Sequence, residues 1–253
     1  MTPEEKYQFR EQVVSDAIRC IEPERVPVVP LISTWPLFEY GYTFKQNMFD
    51  PKSCFEAFLR FHREFEPDMA FGNPCIFSGK AMDIMGPKFL RYPGEKGGLP
   101  DDAASYQFLE TEFPIIKEDE WDEVLNNRVG WILGKYMPRN FKALEPLKDF
   151  DADYITMNYF TNLWQLGNSR AIEAFDKLRL AISEFGQYMM TILELGSKLE
   201  ALGYPGMIGG SLMCPFDLVG DMALGMVDGM IAMLEHPEEL LELTNKVADD
   251  LVK

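Results

Sequence analysis

Apolar residues recur at helical spacing from the start of the chain. Tyr7, Val13, Val14, Ala17, Ile18 and Ile21 form one stripe, Thr2 can cap it and Pro3 suits a first helical turn, so a helix is predicted over about 2–21. The period then changes. VPVVPLI (26–32) is a short β-branched run bounded by turn residues, as expected of a buried parallel strand. A second helix starts at Asp50-Pro51 and runs through KSCFEAFLRFHREFE, and PDMAFG (67–72) reads as the second strand. IFSGKAMDIMG (76–86) predicts a short helix ending at Gly86, and RYPGEKGGLPDDAASYQFLETE a long excursion with a hairpin. Helical spacing returns over 117–133 and dominates 168–203, where Gly203 makes a natural stop. GMI (206–208) gives a third, brief strand, followed by helices near 216–225 and 237–253.

Strands alternating with long helices indicate an α/β fold with a parallel sheet, in which ligands meet the C-terminal strand ends. That rule selects STWPLFEY after the first strand, NPCIFS after the second and GGSLMCPFD after the third.

Composition narrows the function classes. A chain of 253 residues, 47% apolar, can bury one large core. Its net charge of -17 repels phosphate backbones and anionic lipid, so no nucleic-acid or membrane partner is expected. No apolar run approaches the roughly 18 residues of a spanning helix, and MTPEEKYQFREQ lacks a signal-peptide pattern. A cytoplasmic protein is expected. Cys20, Cys54, Cys75 and Cys214 form no CxxC pair, which signals reduced thiols.

Each candidate residue has a bland reading beside its functional one. Asp217 and Asp221 stand four apart and could both face a pocket, while Asp217 could equally cap or complement a helix N-terminus. Asn73 and Ser211 could hydrogen-bond a ligand or simply terminate a strand. Trp35, Phe38 and Tyr40 could wall a flat substrate or pack their loop. Cys75 and Cys214 follow strand ends, where a small thiol is more often core, and Cys20 and Cys54 fall within helices. MALGMVDGMIAM reads as adaptable core, His62 as structural and His236 as exposed. The glycines of GGS (209–211) open space after a strand, and the acids edge it.

GGSLMCPFDLVGDMALG followed by MLEHPEELLELTNKVADDLVK resembles the uroporphyrinogen decarboxylase superfamily, as do PDMAFGNPCIFS…IMG and the opening helix before ERVPVVP. The resemblance covers about residues 5–110 and 203–253. It implies a (β/α)8 TIM-barrel fold for a domain spanning 1–253, with 111–203 as a helical insertion. Only about three barrel strands can be found, and three strands cannot close a barrel, so the chain is expected to be the N-terminal part of a longer protein.

Within that superfamily the decarboxylases bind a polycarboxylate tetrapyrrole through arginines after the first strand. Here Ile32, Ser33, Thr34 and Trp35 occupy that place. The decarboxylase aspartate falls in the window Cys75 to Gly79, which has no acid, and its tyrosine falls on Asp221. The resemblance is therefore closer to the methyltransferase branch, which moves a methyl group to or from a corrinoid carrier. It implies a small-molecule substrate, a corrinoid protein as partner and a homodimer as an allowed assembly. No metal site is expected within the chain, zinc being implied only for residues beyond Lys253. Asp221 is the candidate catalytic residue, with Asn73, Trp35, Cys75, Ser211 and Asp217 as substrate-binding candidates on one shared cavity. The alternatives are uroporphyrinogen decarboxylation in porphyrin biosynthesis, and a non-catalytic scaffold.

Overall fold

A computed structural model describes residues 1–72, 75, 77–109, 115–148, 169–206 and 212–252. Its contacts define two units. The first comprises Met1–Asp83, Tyr92–Tyr106 and Ala181–Gly209, the second Ile84–Arg91, Gln107–Leu180 and Gly210–Lys253. The described residues are mostly helical, with only two short strands.

The first unit begins with α1 (Pro3–Ile18), which opens on a reciprocal cap: the Thr2 hydroxyl accepts from the Glu5 amide at 3.2 Å and the Glu5 carboxylate from the Thr2 amide at 2.7 Å. The helix is three residues shorter at its C-terminus than its stripe predicts. Arg10, Val13 and Val14 form its buried face, whereas Ile18 and Ile21 are exposed. Cys20, expected within the helix, lies past its end at φ +58 and is exposed. Next come α2 (Trp35–Glu39), α3 (Phe44–Phe49), a 3-10 turn at Pro51–Cys54 and α4 (Phe55–Phe65). Phe58, Phe61 and His62 recur at the three-to-four spacing of one helix face, and with Leu37, Phe44 and Met48 they form the unit's core.

The helix predicted at 76–86 is α5 (Gly79–Met85), and Gly86 ends it at φ +60. The expected hairpin pairs β1 (Leu90–Arg91) antiparallel with β2 (Gln107–Phe108), both in the second unit.

None of the three predicted parallel strands is a strand in its described residues. Val26, Val28, Val29 and Leu31 are exposed, contrary to the buried strand expected at 26–32. Pro27 and Pro30 remove amide donors from that run, so a continuous ladder is chemically blocked. Residues 67–72 are irregular too, as is Gly206, while Met207 and Ile208 lie outside the described residues. The segments nevertheless lie side by side: the Asp68 amide donates to Val28 O at 2.8 Å, and the Ala70 amide donates to Pro205 O at 2.7 Å.

In the second unit, the helix expected over 117–133 is broken into a 3-10 turn (Glu118–Glu120), α6 (Trp121–Asn126) and α7 (Arg128–Trp131). Asn127 makes the break, with φ −135 and ψ 51, and its side chain caps the Gly130 amide at 3.3 Å. A π-turn (Ile132–Tyr136), α8 (Met137–Asn140) and a 3-10 turn (Lys142–Leu147) follow. The long helix predicted over 168–203 is α9 (Ser169–Ala201), and Gly203 stands beyond its end at φ +88, where a Cβ would come within 2.5 Å of Pro3 O.

The region near 216–225 is α10 (Pro215–Val219) continued by a π-turn (Gly220–Leu224). Gly225, at φ +83, separates it from α11 (Met226–Glu235), and α12 (Pro237–Leu251) completes the unit. The methionine run does not fill the core as expected. α11 buries its small residues Gly229 and Ala232, three apart on one face, which turns Met226, Met230 and Met233 outward. The unit's core is Ile115, Ile116, Trp121, Val124, Trp131, Val219, Leu224, Ala232, Leu240 and Leu243.

A buried carboxylate stands beside that core. Glu120 is 5% exposed and takes both Arg139 guanidinium nitrogens at 2.6 Å, the Trp131 indole at 3.3 Å and the Lys117 amide at 3.2 Å. Burial alone would raise its pKa, but the donors from Arg139, Lys117 and Trp131 hold it down at about 2. The folded value lies below the unfolded one, so this stability is present above about pH 4.3 and is lost as pH falls towards the folded value. Glu120→Gln leaves Arg139 uncompensated and is expected to cost about 3 kcal/mol in urea unfolding at pH 7. The same unfolding series taken between pH 5 and pH 3 should show a shallower acid loss in the variant than in the parent.

Candidate functional site

The loop that begins at Ser33 follows the joined segments of the first unit; of the loop after the third segment, 209–211 lie outside the described residues and Leu212 onward belongs to the second unit. Asp68 is wholly buried and accepts from Arg25 through both guanidinium nitrogens, one at 2.6 Å, and from the Val28 amide at 2.7 Å. This carboxylate fixes the first segment on the second. His62 fixes the second to α4. Its Nδ1 lies 2.7 Å from Phe58 O, and its Nε2 accepts from the Phe71 amide at 2.9 Å. A carbonyl on one side and an N–H on the other assign the neutral ring with hydrogen on Nδ1. Tyr204 donates its hydroxyl to His62 O and stacks edge-on to the imidazole at 4.9 Å. Arg10 covers the Tyr204 ring at 4.1 Å and donates to Gly203 O at 2.6 Å, tying the third segment to α1.

Trp35 sits at the start of α2, 43% exposed, with its ring edge-on to Phe61 at 6.1 Å and Phe65 at 5.7 Å. Phe38 is also partly exposed. Tyr40 donates to Glu64 at 2.7 Å and lies under the Arg60 guanidinium. Trp35 and Tyr40 therefore pack their loop against α4. Burial, with the Glu64 bond and charge, pushes the Tyr40 phenol up to about 12, so it stays a donor across the working pH range.

Cys75 is 2% exposed. Its Sγ donates to Phe77 O at 3.3 Å and its carbonyl accepts from Tyr188 at 3.1 Å. Burial pushes the thiol up, against bonds from Tyr188 and to Phe77, so it is a protonated core group and not a nucleophile. Asn73 and Ser211 lie outside the described residues. Cys214 is exposed, not core, because it precedes α10 where the chain runs along the surface.

Asp217 and Asp221 belong to the second unit and are both exposed. Asp217 lies in the first turn of α10, where a carboxylate complements the helix dipole, and no side chain caps that helix. The opposite face, carrying Leu218, Val219, Met222 and Ala223, lines an apolar cavity of about 300 Å³ with Val124, Trp131 and their neighbours. The two acids are both exposed, and neither lines this cavity. His236, expected to be exposed, is half-buried with its ring tilted over Trp121 at 5.3 Å.

Among the described residues, no three His, Cys, Asp or Glu side chains converge as metal ligands, and no helix is long and apolar enough to cross a membrane. Sequence reasoning missed the Arg25–Asp68 and Arg10–Tyr204 contacts. The first had a signal in the charges Arg25 and Asp68 at the entry to their segments, and the second had none. Comparison with known families, curated proteins and solved structures finds no match to this chain.

His62 makes the first unit sensitive to acid. Burial lowers its pKa most, Phe58 opposes and Arg10 adds to the lowering. Its folded pKa is below the unfolded value of about 6.5, so its contribution is complete above that pH and is lost as pH falls through the folded value. Protonation at Nε2 would set a new N–H against the Phe71 amide. Chemical denaturation from pH 7.5 to pH 4.5 should show falling stability, and His62→Phe should flatten that limb. An equal slope in both proteins would assign the acid sensitivity elsewhere.

Proposed function

We propose that the chain is a uroporphyrinogen decarboxylase-superfamily protein of the methyltransferase type, moving a methyl group between a small molecule and a corrinoid held by a partner protein. One observation carries the reading. Segments 26–32 and 67–72, which bear two of the motifs, are joined through Asp68 N to Val28 O, and 67–72 meets Pro205, which precedes the third motif, through Ala70 N. Consecutive strands of a parallel (β/α) barrel are neighbours in that way. The barrel itself is part of the proposal.

The departures at the decarboxylase positions favour methyl transfer over decarboxylation. Ile32 to Trp35 offer no guanidinium for a polycarboxylate, and Trp35 gives the loop an aromatic surface instead. The described residues do not fit a thiol-activating zinc. His62 is engaged at both nitrogens, His236 is stacked on Trp121, and Cys54 and Cys75 are buried. No step is assigned through such an ion. Asp221 remains the proposed proton-transfer group, from its place in the family motif, and its exposure leaves it accessible.

The test supplies the full-length protein with cob(I)alamin and candidate methyl donors, and separately with uroporphyrinogen. Methylcobalamin formation that falls at least about tenfold in Asp221→Asn, with an unchanged melting temperature, is the expected result. Coproporphyrinogen formation would overturn the choice of branch, and inactivity in both assays would favour the non-catalytic reading.

A further inference from the structure

The second unit contains an open cleft of about 1240 Å³ formed between the 3-10 turns, the π-turn, α8 and the first turn of α9. Its lining inverts the charge balance of the chain. Among the described residues, seven lysines and arginines meet three glutamates there, whereas the whole sequence has 24 Lys and Arg against 41 Asp and Glu. We infer that this cleft binds a small polyanion whose charges are phosphate or carboxylate groups. The cleft contains none of the three strand-end loops that bear the family resemblance, so the inference stands apart from the proposed function.

The ion pairs show how much positive charge is left over. Glu120, the buried carboxylate at the base, is saturated by Arg139 at 2.6 Å and by Lys135 at 3.3 Å. Glu145 is taken by Lys88 at 2.7 Å, and Glu173 by Lys177 at 2.7 Å, a residue outside the lining. Lys117, Lys142, Lys148 and Arg170 remain, and none of them forms an ion pair among the described residues. Lys88, followed by Lys142 and Lys148, draws the Glu145 carboxyl below its usual range, which places all three ammonium groups in one electrostatic neighbourhood.

Gathering like charges costs energy, and among the described residues no acid pairs with Lys117, Lys142, Lys148 or Arg170. An anion bridging Lys142, Lys148 and Arg170 would supply the missing compensation through charge-assisted hydrogen bonds. The buried Glu120–Arg139 pair fixes α8 and the Glu118–Glu120 turn relative to each other, which holds Lys117, at the head of that turn, in place before any ligand arrives. Concavity and the strongly negative remainder of the chain favour a small molecule over a nucleic acid.

Calorimetric titration of the full chain with sodium tripolyphosphate, and separately with citrate, at matched ionic strength tests the inference. At least one should bind with Kd below ~1 mM, and added salt should weaken the binding. The double variant Lys142→Gln/Lys148→Gln changes exposed side chains and should keep its circular dichroism while losing ~10-fold or more in affinity. Lys52→Gln, a lysine of the other unit paired with Glu194, should bind as the parent does. Tripolyphosphate alone would identify a phosphate ligand, citrate alone a carboxylate. Binding of neither, or equal binding by the parent and the double variant, would overturn the inference.

Discussion

With no exposed surface, the Asp68 carboxylate accepts two bonds from Arg25 and one from the Val28 amide, while its own amide donates to Val28 O. A charge so far from water persists only if its acceptor capacity is filled, and three donors fill it here. The first unit depends on this contact because, among the described residues, the Val28 pairing with Asp68 carries the long-range backbone hydrogen bonds of segment 26–32. Its large apolar side chains are exposed, and two prolines deprive it of ladder donors. The next links are of the same kind. His62 receives the Phe71 amide, Tyr204 reaches back to His62 O, and Arg10 closes on Gly203 O. Polar contacts of high sequence separation thus do the work that strand ladders do in a regular sheet. They place the loop that begins at Trp35 above α4.

The second unit uses a related device for a different end. Glu120 neutralises Arg139 and joins the Glu118–Glu120 turn to α8 beside an aliphatic and aromatic core. Lys117, Lys142 and Lys148 line the cleft beside it and form no ion pair among the described residues. A buried pair of this type is weak as net stabilisation and strong as a positioning element, since removing either partner strands the other.

Helix positions were legible in the sequence wherever the local code is complete. Thr2 with Glu5 three residues on marks the start of α1, and Gly86 and Gly203 mark stops because each takes a positive φ. The spacing in FEAFLRFH identified α4, and His62, read as structural, lies on its buried face. The strand expected at 26–32 was misread because a valine-rich run resembles a buried strand until the missing proline donors are counted. Asp217 and Asp221 are both exposed, which their spacing alone could not say. The apolar stripe of Leu218, Val219 and Met222 takes the inner side and leaves the acids outside. Glu120 was invisible within KEDEWDE, where neighbouring acids look alike and only the fold brings Arg139 from 19 residues away.

Native-state amide exchange at Val28, Asp68, Ala70 and Phe71 tests most directly whether these polar contacts hold the segments together. Each of these amides donates to a partner distant in sequence, from the Asp68 carboxylate to Val28 O, Pro205 O and His62 Nε2. The account predicts that all four exchange slowly, and that Asp68→Asn accelerates Val28 and Asp68 together while the helical amides of α4 stay protected. Exchange of these amides at the rate of an unstructured peptide, or an Asp68→Asn variant that leaves all four unchanged, would contradict it.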